Sequence, residues 1–285
     1  MSINYLRFPA APNLPLAPDQ WDRRYQDQFA NVLRLYFNQL SGALLQLAAG
    51  EGGHHLSFPH GSFFQDGTTT LSANITNVST TPIQVASTAG FPATGWILIG
   101  TEIISYTTKT DTTFDGTVTR GVLGTTNVAH TAGAAITEVQ GTGSPTTIGT
   151  VLFNNTSFSQ GVKTSADFTR IEFEYAGVYN LQFSAQLLNF TTAEDNVVVW
   201  FVKNGVDIPY SASVQQVNAK HGGKPGATVL TVNIFEEFNA GDYMNLKWAS
   251  DTGNTVIGSY PAGTSPVHPV SPGLIFTVTF VSAPA

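Results

Sequence analysis

Residues Asp19 to Ala49, DQWDRRYQDQFANVLRLYFNQLSGALLQLAA, carry the one long helical pattern in a chain that otherwise reads as short strands and loops. Phe29, Leu33, Tyr36, Leu40, Ala43 and Leu47 recur at alternating steps of four and three, and Val32, Phe37 and Leu44 widen that seam on its flanks. Pro18 and then Asp19, a good N-cap, mark the start. Asp22 follows in the first turn, where the helix dipole favours an anion, and Gly50, Gly52 and Gly53 end the pattern. At 1.5 Å per residue such a helix spans roughly 45 Å. No second amphipathic helix is visible to cover its apolar face. The face can be buried on the chain's own β domain or against copies of itself. Its aromatic breadth and early position favour the second arrangement, a parallel homotrimer with Phe29, Leu33, Tyr36, Leu40 and Leu47 at the interface.

Composition narrows what surrounds the helix. The 285 residues are 42% hydrophobic, enough for one large or two modest cores, yet only 11% charged against roughly 25% in an average soluble protein. Thr, Ser, Asn, Gln and Gly must therefore solvate the surface, a style more common in extended β proteins than in metabolic enzymes. A net charge of −7 argues against nucleic acid or an anionic membrane as partner. With no cysteine, disulfides, thiolate metal sites and cysteine nucleophiles are excluded. The stretch MSINYLRFPAAPNLPLAP lacks a basic region followed by an apolar run, and no uncharged apolar stretch is long enough to span a bilayer. Synthesis in a cytoplasm, without membrane insertion, is the expectation.

Along the chain, residues 1–18 interleave Pro9, Pro12, Pro15 and Pro18 with Tyr5, Leu6, Phe8, Leu14 and Leu16, which suits an extended anchoring peptide lying in a groove of another protein. A disordered tail is the alternative, though such tails are usually poorer in aromatics. Residues 19–49 are the helix and 50–81 read as a glycine- and threonine-rich linker. Within it His54, His55 and His60 could meet a metal around a threefold axis. Adjacent His54 and His55 point apart on any regular backbone, however, and no companion carboxylate is obvious, so no metal and no cofactor are expected. Residues 82–140 form a compact unit of short strands. There STAGFPATGWILIGTEIISYT, followed by TRGVLGTTNVAHTAGA, resembles a small β module of bacteriophage structural and fibre proteins. The resemblance implies a spacer or attachment collar and brings no catalytic role.

A Gly, Ser and Pro break at Thr142 to Pro145 leads to a third region, 146–285, with strand patterns at Phe168–Tyr175, Tyr179–Leu187, Val197–Val202, Thr228–Phe235, Tyr243–Trp248 and Leu274–Val281, and the Asn204-Gly205 hairpin signal. Many short strands without helices mean a β-sandwich. The run NVVVWFV is apolar on both faces, and in a trimer Val198 and Trp200 would face the neighbouring subunit. The sequence GVYNLQFSAQL, NVVVWFVKNG, FNAGDYMNLKW and a closing LIFTVTFV is similar to the jelly roll of the C1q and tumour-necrosis-factor family, whose members are compact trimers and which phages carry at the tips of fibres and spikes. The Pro-rich SYPAGTSPVHPVSPG before the last strand departs from that pattern.

No nucleophile elbow, phosphate loop, zinc helix or calcium loop is present, and no catalytic residues are assigned. Glu172 with Glu174 could imitate a glycosidase pair but better suits the solvated face of a strand. What remains is recognition: Lys220, His221 and Lys224 in the loop NAKHGGKPGA, with Tyr260 and His268 in the Pro-rich loop, are the candidate receptor-binding residues. The resulting expectation is a non-enzymatic trimeric virion protein. Its N-terminus would bind other tail or capsid proteins and its mainly β jelly-roll head would adhere to a host-surface glycan or protein. A capsid head fibre or decoration protein, or a glycan-cleaving tailspike, are the alternatives.

Overall fold

The structure, a computed structural model, describes residues 9–16, 18–48, 58–80, 82–142, 144–264 and 266–283. They divide into two units, Met1–Phe58 and Pro59–Ala285. The first holds a single helix, Arg23–Ala48. It starts later than its sequence pattern because Asp22, and not Asp19, is the cap. The Asp22 Oδ1 accepts the Arg24 N–H at 2.8 Å while its carbonyl accepts the first helical bond from Gln26. Phe29, Leu33, Tyr36 and Leu40 are half-buried, whereas Leu35, Phe37, Leu44 and Leu45 are exposed. Leu14 is exposed. Tyr5, Leu6, Phe8, His54, His55 and the Leu47 side chain lie outside the described residues.

The second unit is built from strands around two facing sheets. One runs Asn155–Gln160, His60–Gln65, Leu274–Ser282, Gly177–Asn189 and Gly226–Phe238, all antiparallel. Opposite it lie Val162–Thr164, Ile171–Phe173, Tyr243–Ser250, Asp195–Lys203 and Ser213–Val217. Alternation fills the space between them: Tyr179, Leu181, Phe183, Ala185 and Leu187 from one sheet meet Val197, Val199, Phe201, Leu246 and Trp248 from the other. The Gly-x-Tyr start of GVYNL has a packing reason. The Phe280 ring occupies the position a Cβ on Gly177 would take, and Tyr179 then stands among Phe173, Phe238 and Phe280. Asn204 and Gly205, with φ of 50° and 82°, close the hairpin between Asp195–Lys203 and Val206–Asp207.

Two boundaries differ from those read in the sequence. The stretch 50–81 is not simply a linker, since His60–Gln65 is an interior strand of the first sheet with Phe63 and Gln65 fully buried. Its HGSFFQ pattern hides this because Gly61, over which the Phe63 ring and Val162 pack, and the adjacent Phe64 break the visible alternation. The small β module in turn begins before residue 82. Thr68–Thr70 pairs with Ala135–Gly141, and Leu71 and Ile75 join Ile83, Val85, Phe91, Ile97, Ile99, Ile104, Tyr106, Phe114, Val118 and Ile136 in its core. The module is thus inserted between two neighbouring strands of the sandwich, where Phe64 lies opposite Asn155. Thr255–Gly258 pairs with Gly177–Asn189 on one side and Ala135–Gly141 on the other, so one sheet runs through both parts. No helix among the described residues is long and apolar enough to cross a membrane.

Candidate functional site

The module presents one wall of a cleft, and a buried ion network holds that wall. Arg120 grips Glu102 with two hydrogen bonds, Nε to Oε1 at 2.6 Å and Nη2 to Oε2 at 2.7 Å. The guanidinium also donates to the carbonyls of Thr76 and Val128. The Val128 N–H and His130 Nε2 reach Glu102 Oε2 at 3.1 and 2.8 Å. Burial pushes the Glu102 carboxyl up, but hydrogen bonds from Arg120, Val128 and His130 outweigh it and hold it below the ordinary value. The Glu, Arg and His of the IG-E-IISY, TRG and AHTAG motifs are therefore a clamp tying three loops together. A further tie is Thr125, whose hydroxyl donates to Val122 O at 2.8 Å and accepts the Ile103 N–H at 3.0 Å.

The sandwich supplies the other wall through the turn after Ser213–Val217. His221 and Lys224 exchange both backbone hydrogen bonds at 3.0 Å, and Gly222 and Gly223 take φ of 58° and 75°, which a two-residue hairpin turn requires. The Lys220 N–H donates to Thr191 O at 2.8 Å, and Thr191 is itself tied to the buried Asn189 side chain. Gly124 of the module sits so close to Thr191 that a Cβ there would lie 3.0 Å from its methyl group.

Between these walls lie two concavities of about 330 and 210 Å³ that share Phe190 and Pro225. Leu98, Leu188, Phe190 and Tyr260 form an apolar floor, and Thr101, Thr126, Lys220 and Lys224 stand around the smaller part. Neither lysine ammonium has a carboxylate or hydrogen-bond partner among the described residues, and no Asp or Glu lines either concavity. Thr137, only 2% exposed, lines the larger part with its Oγ1 unpartnered. Burial raises the Tyr260 phenol above its ordinary value.

Of the five residues read as receptor-binding, the fold brings Lys220, Lys224 and Tyr260 to this cleft. Tyr260 sits at the base of the Pro-rich insertion, bonded to Ser271 through both backbone groups. His268 lies further out in the hairpin Gly263–His268, and His221 is exposed on the turn; neither lines the cleft. Thr137 and Phe190 had no distinguishing sequence signal, because they matter only through the juxtaposition of module and turn, whereas His130 belongs to the AHTAG motif. Val198 and Trp200 are half-buried on the outer face of the second sheet, and the Trp200 indole donates to Asp207 at 2.8 Å. His60 packs on Phe158, with ring centroids 5.7 Å apart. Glu174 is exposed and paired with Lys163 at 3.4 Å, an arrangement that suits a solvated strand.

A second cavity, about 360 Å³, lies where module and sandwich join, between Trp96, Tyr106, Gln140, Thr150 and Trp248. Among its polar lining groups, the Tyr106 hydroxyl donates to Pro92 O at 2.8 Å, and the Gln140 amide exchanges bonds with the Leu152 backbone. Glu138 also borders this cavity; it has no accessible surface, with one carboxyl oxygen bonded by Asn154 and the other unpartnered. Burial drives its pKa up to about 7, against the pull of the Asn154, Gln65 and Gln140 amides and the Gly67 N–H. The cleft differs in holding two lysines without a carboxylate partner beside the buried, unpartnered Thr137 hydroxyl. In comparisons with protein-family models and with curated proteins, the chain matches none.

Proposed function

We propose that this chain is a bacteriophage virion protein, a trimeric fibre or spike that adheres to the host surface, with the cleft between module and sandwich as its receptor contact. The observation that carries the adhesive reading is the cleft itself: an apolar floor, free hydroxyls and two unpaired lysines between rigid walls, the arrangement expected of a recognition site. The phage reading rests on the module motif, whose charged residues form the Glu102–Arg120–His130 clamp. The jelly-roll reading is supported by the chain's repeated crossing between the two sheets and by the first and last strands, His60–Gln65 and Leu274–Ser282, lying side by side.

Self-association is supported by the helix, which exposes Leu35, Phe37, Leu44 and Leu45, and by the outer face of the first sheet, where Val229, Phe235 and Ile275 are exposed. Contacts too weak to hold singly gain through threefold multivalency. Light scattering on the purified chain is expected to give about three times 30.4 kDa. The protein is also expected to bind host cells and compete with phage adsorption. A stable single chain that leaves host cells bare would overturn the reading. Removing residues 1–18 is expected to preserve the oligomer and abolish incorporation into particles.

A further inference from the structure

We infer that the cleft takes an acidic saccharide, its carboxylate or phosphate held by Lys220 and Lys224 and its ring seated over Phe190, Pro225 and Tyr260; this rests on the adhesive reading and specifies its ligand. Charge is the first argument. The chain carries 19 acidic residues against 12 Lys and Arg, yet the cleft lining holds two lysines and no carboxylate. The one acidic group behind that wall, Glu102, is already neutralised by Arg120. Lys220 and Lys224 both border the smaller concavity, beside a hairpin turn whose backbone Gly222 and Gly223 fix.

The second argument is Thr137. A buried hydroxyl without a partner costs stability, and such groups are rare in folded proteins. This one lines the larger concavity, beside the floor residues Leu98 and Leu188, where a sugar hydroxyl could complete it. The exposed hydroxyls of Thr101 and Thr126 add further bonds at the lysine end. Volume agrees, since the larger concavity, about 330 Å³, falls in the range of about 300–1,000 Å³ typical of small-ligand sites and the smaller, about 210 Å³, adjoins it. An apolar floor with a hydroxyl at one end and cations among hydroxyls at the other matches a sugar ring bearing an acid group better than a neutral sugar or a free anion.

The test is titration of the full-length protein with three acidic probes and their neutral counterparts: a sialyl oligosaccharide, a glucuronate oligomer and a glycerol-phosphate oligomer, the first two also in carboxyl-reduced form. The sialyl or the glucuronate probe is expected to bind at least tenfold tighter than its carboxyl-reduced form, and to weaken as ionic strength rises. The double substitution Lys220→Gln/Lys224→Gln, on an exposed turn, is expected to remove that preference. Thr137→Val is expected to raise the melting temperature and yet weaken binding, a combination that a merely structural hydroxyl would not produce. Binding that persists undiminished in the double variant, or equal binding of acidic and reduced probes, overturns the inference while leaving the adhesive reading standing. Failure of both acidic saccharide probes while the protein still binds host cells, whether or not the glycerol-phosphate oligomer binds, also overturns it. Failure to bind host cells at all overturns the adhesive reading and the inference with it.

Discussion

Glu138→Gln should make this protein more stable at neutral pH and remove part of its pH dependence. The wild-type carboxyl has no accessible surface, and burial outweighs the pull of the Asn154, Gln65, Gln140 and Gly67 donors, raising its pKa from 4.5 to about 7. At about 1.36 kcal/mol for each tenfold change in proton affinity, carrying the charge in the folded state costs on the order of 3 kcal/mol. A raised carboxyl pKa means that the folded chain binds the proton more tightly than the unfolded chain. The contribution is therefore fully present below pH 4.5, falls as pH rises through the window up to about 7, and is lost above it. Glutamine keeps the acceptor for Asn154 and never ionises. Urea unfolding at several pH values should then show the variant ahead by about 3 kcal/mol at pH 8, equivalent to roughly 6–12 °C in melting temperature for a unit of this size. The two proteins should converge near pH 4.5. Asp66, also raised by burial, is common to both and largely cancels in the difference. Parallel stability curves across the whole range would refute the reasoning.

Arg120→Met strands the buried Glu102 carboxylate and should cost about 3–5 kcal/mol in chemical unfolding, far more than loss of the exposed Lys163–Glu174 pair, which should change stability by less than about 1 kcal/mol. Gly253→Ala, at φ of 75° and with the Ser144 backbone where the new methyl group would go, should lower the melting temperature measurably, whereas Gly90→Ala, also at positive φ but with open space around it, should cost less. Asp22→Ala removes the helix cap and should weaken the helix by about 0.5–2 kcal/mol, seen as lower far-ultraviolet ellipticity on heating. Asp195→Ala, which breaks bonds to Ser250, Thr252 and Thr255, should destabilise the unit and expose the amides of residues 252–255 to hydrogen exchange.

The mainly β character, the single helix and the Asn204-Gly205 hairpin were legible because each depends on a local signal: a period of two, a seam at steps of three and four, a dipeptide that tolerates positive φ. The cap was misplaced by three residues because Asp19 and Asp22 both have the right side chain, and only geometry selects the one whose oxygen reaches the helix N–H groups. The strand His60–Gln65 was missed for a different reason. Its partners, Leu274–Ser282 and Asn155–Gln160, are distant in sequence, and its inward residues are one Phe, one Gly-made gap and a buried Gln, with no alternation to see. Lys220 and Lys224 stood out because charges are scarce in this chain. Thr137 did not, since its two neighbours Ile136 and Glu138 are ordinary strand residues and its orphaned hydroxyl exists only in three dimensions.

The topology explains why such a cleft can be rigid although its walls come from an inserted module and a distant turn. An insertion joined by two flexible ends would swing, and lysines on the opposite wall would meet a moving floor. Here the points where the chain leaves and rejoins the sandwich are themselves paired, Phe64 opposite Asn155. A second attachment comes from Thr255–Gly258, which continues the sandwich sheet into Ala135–Gly141. Gln140 bonded to Leu152 and Asn154 bonded to Glu138 add side-chain ties at the same joint. Thr137 lies in that shared strand, between the joint residues Glu138 and Gln140 on one face and the cleft on the other, because alternate residues of a strand face opposite ways. The polar residues at the joint and the unpartnered hydroxyl beside the cleft are therefore successive positions of a single strand. Any change that loosens the joint alters the cleft floor without touching a residue that lines it.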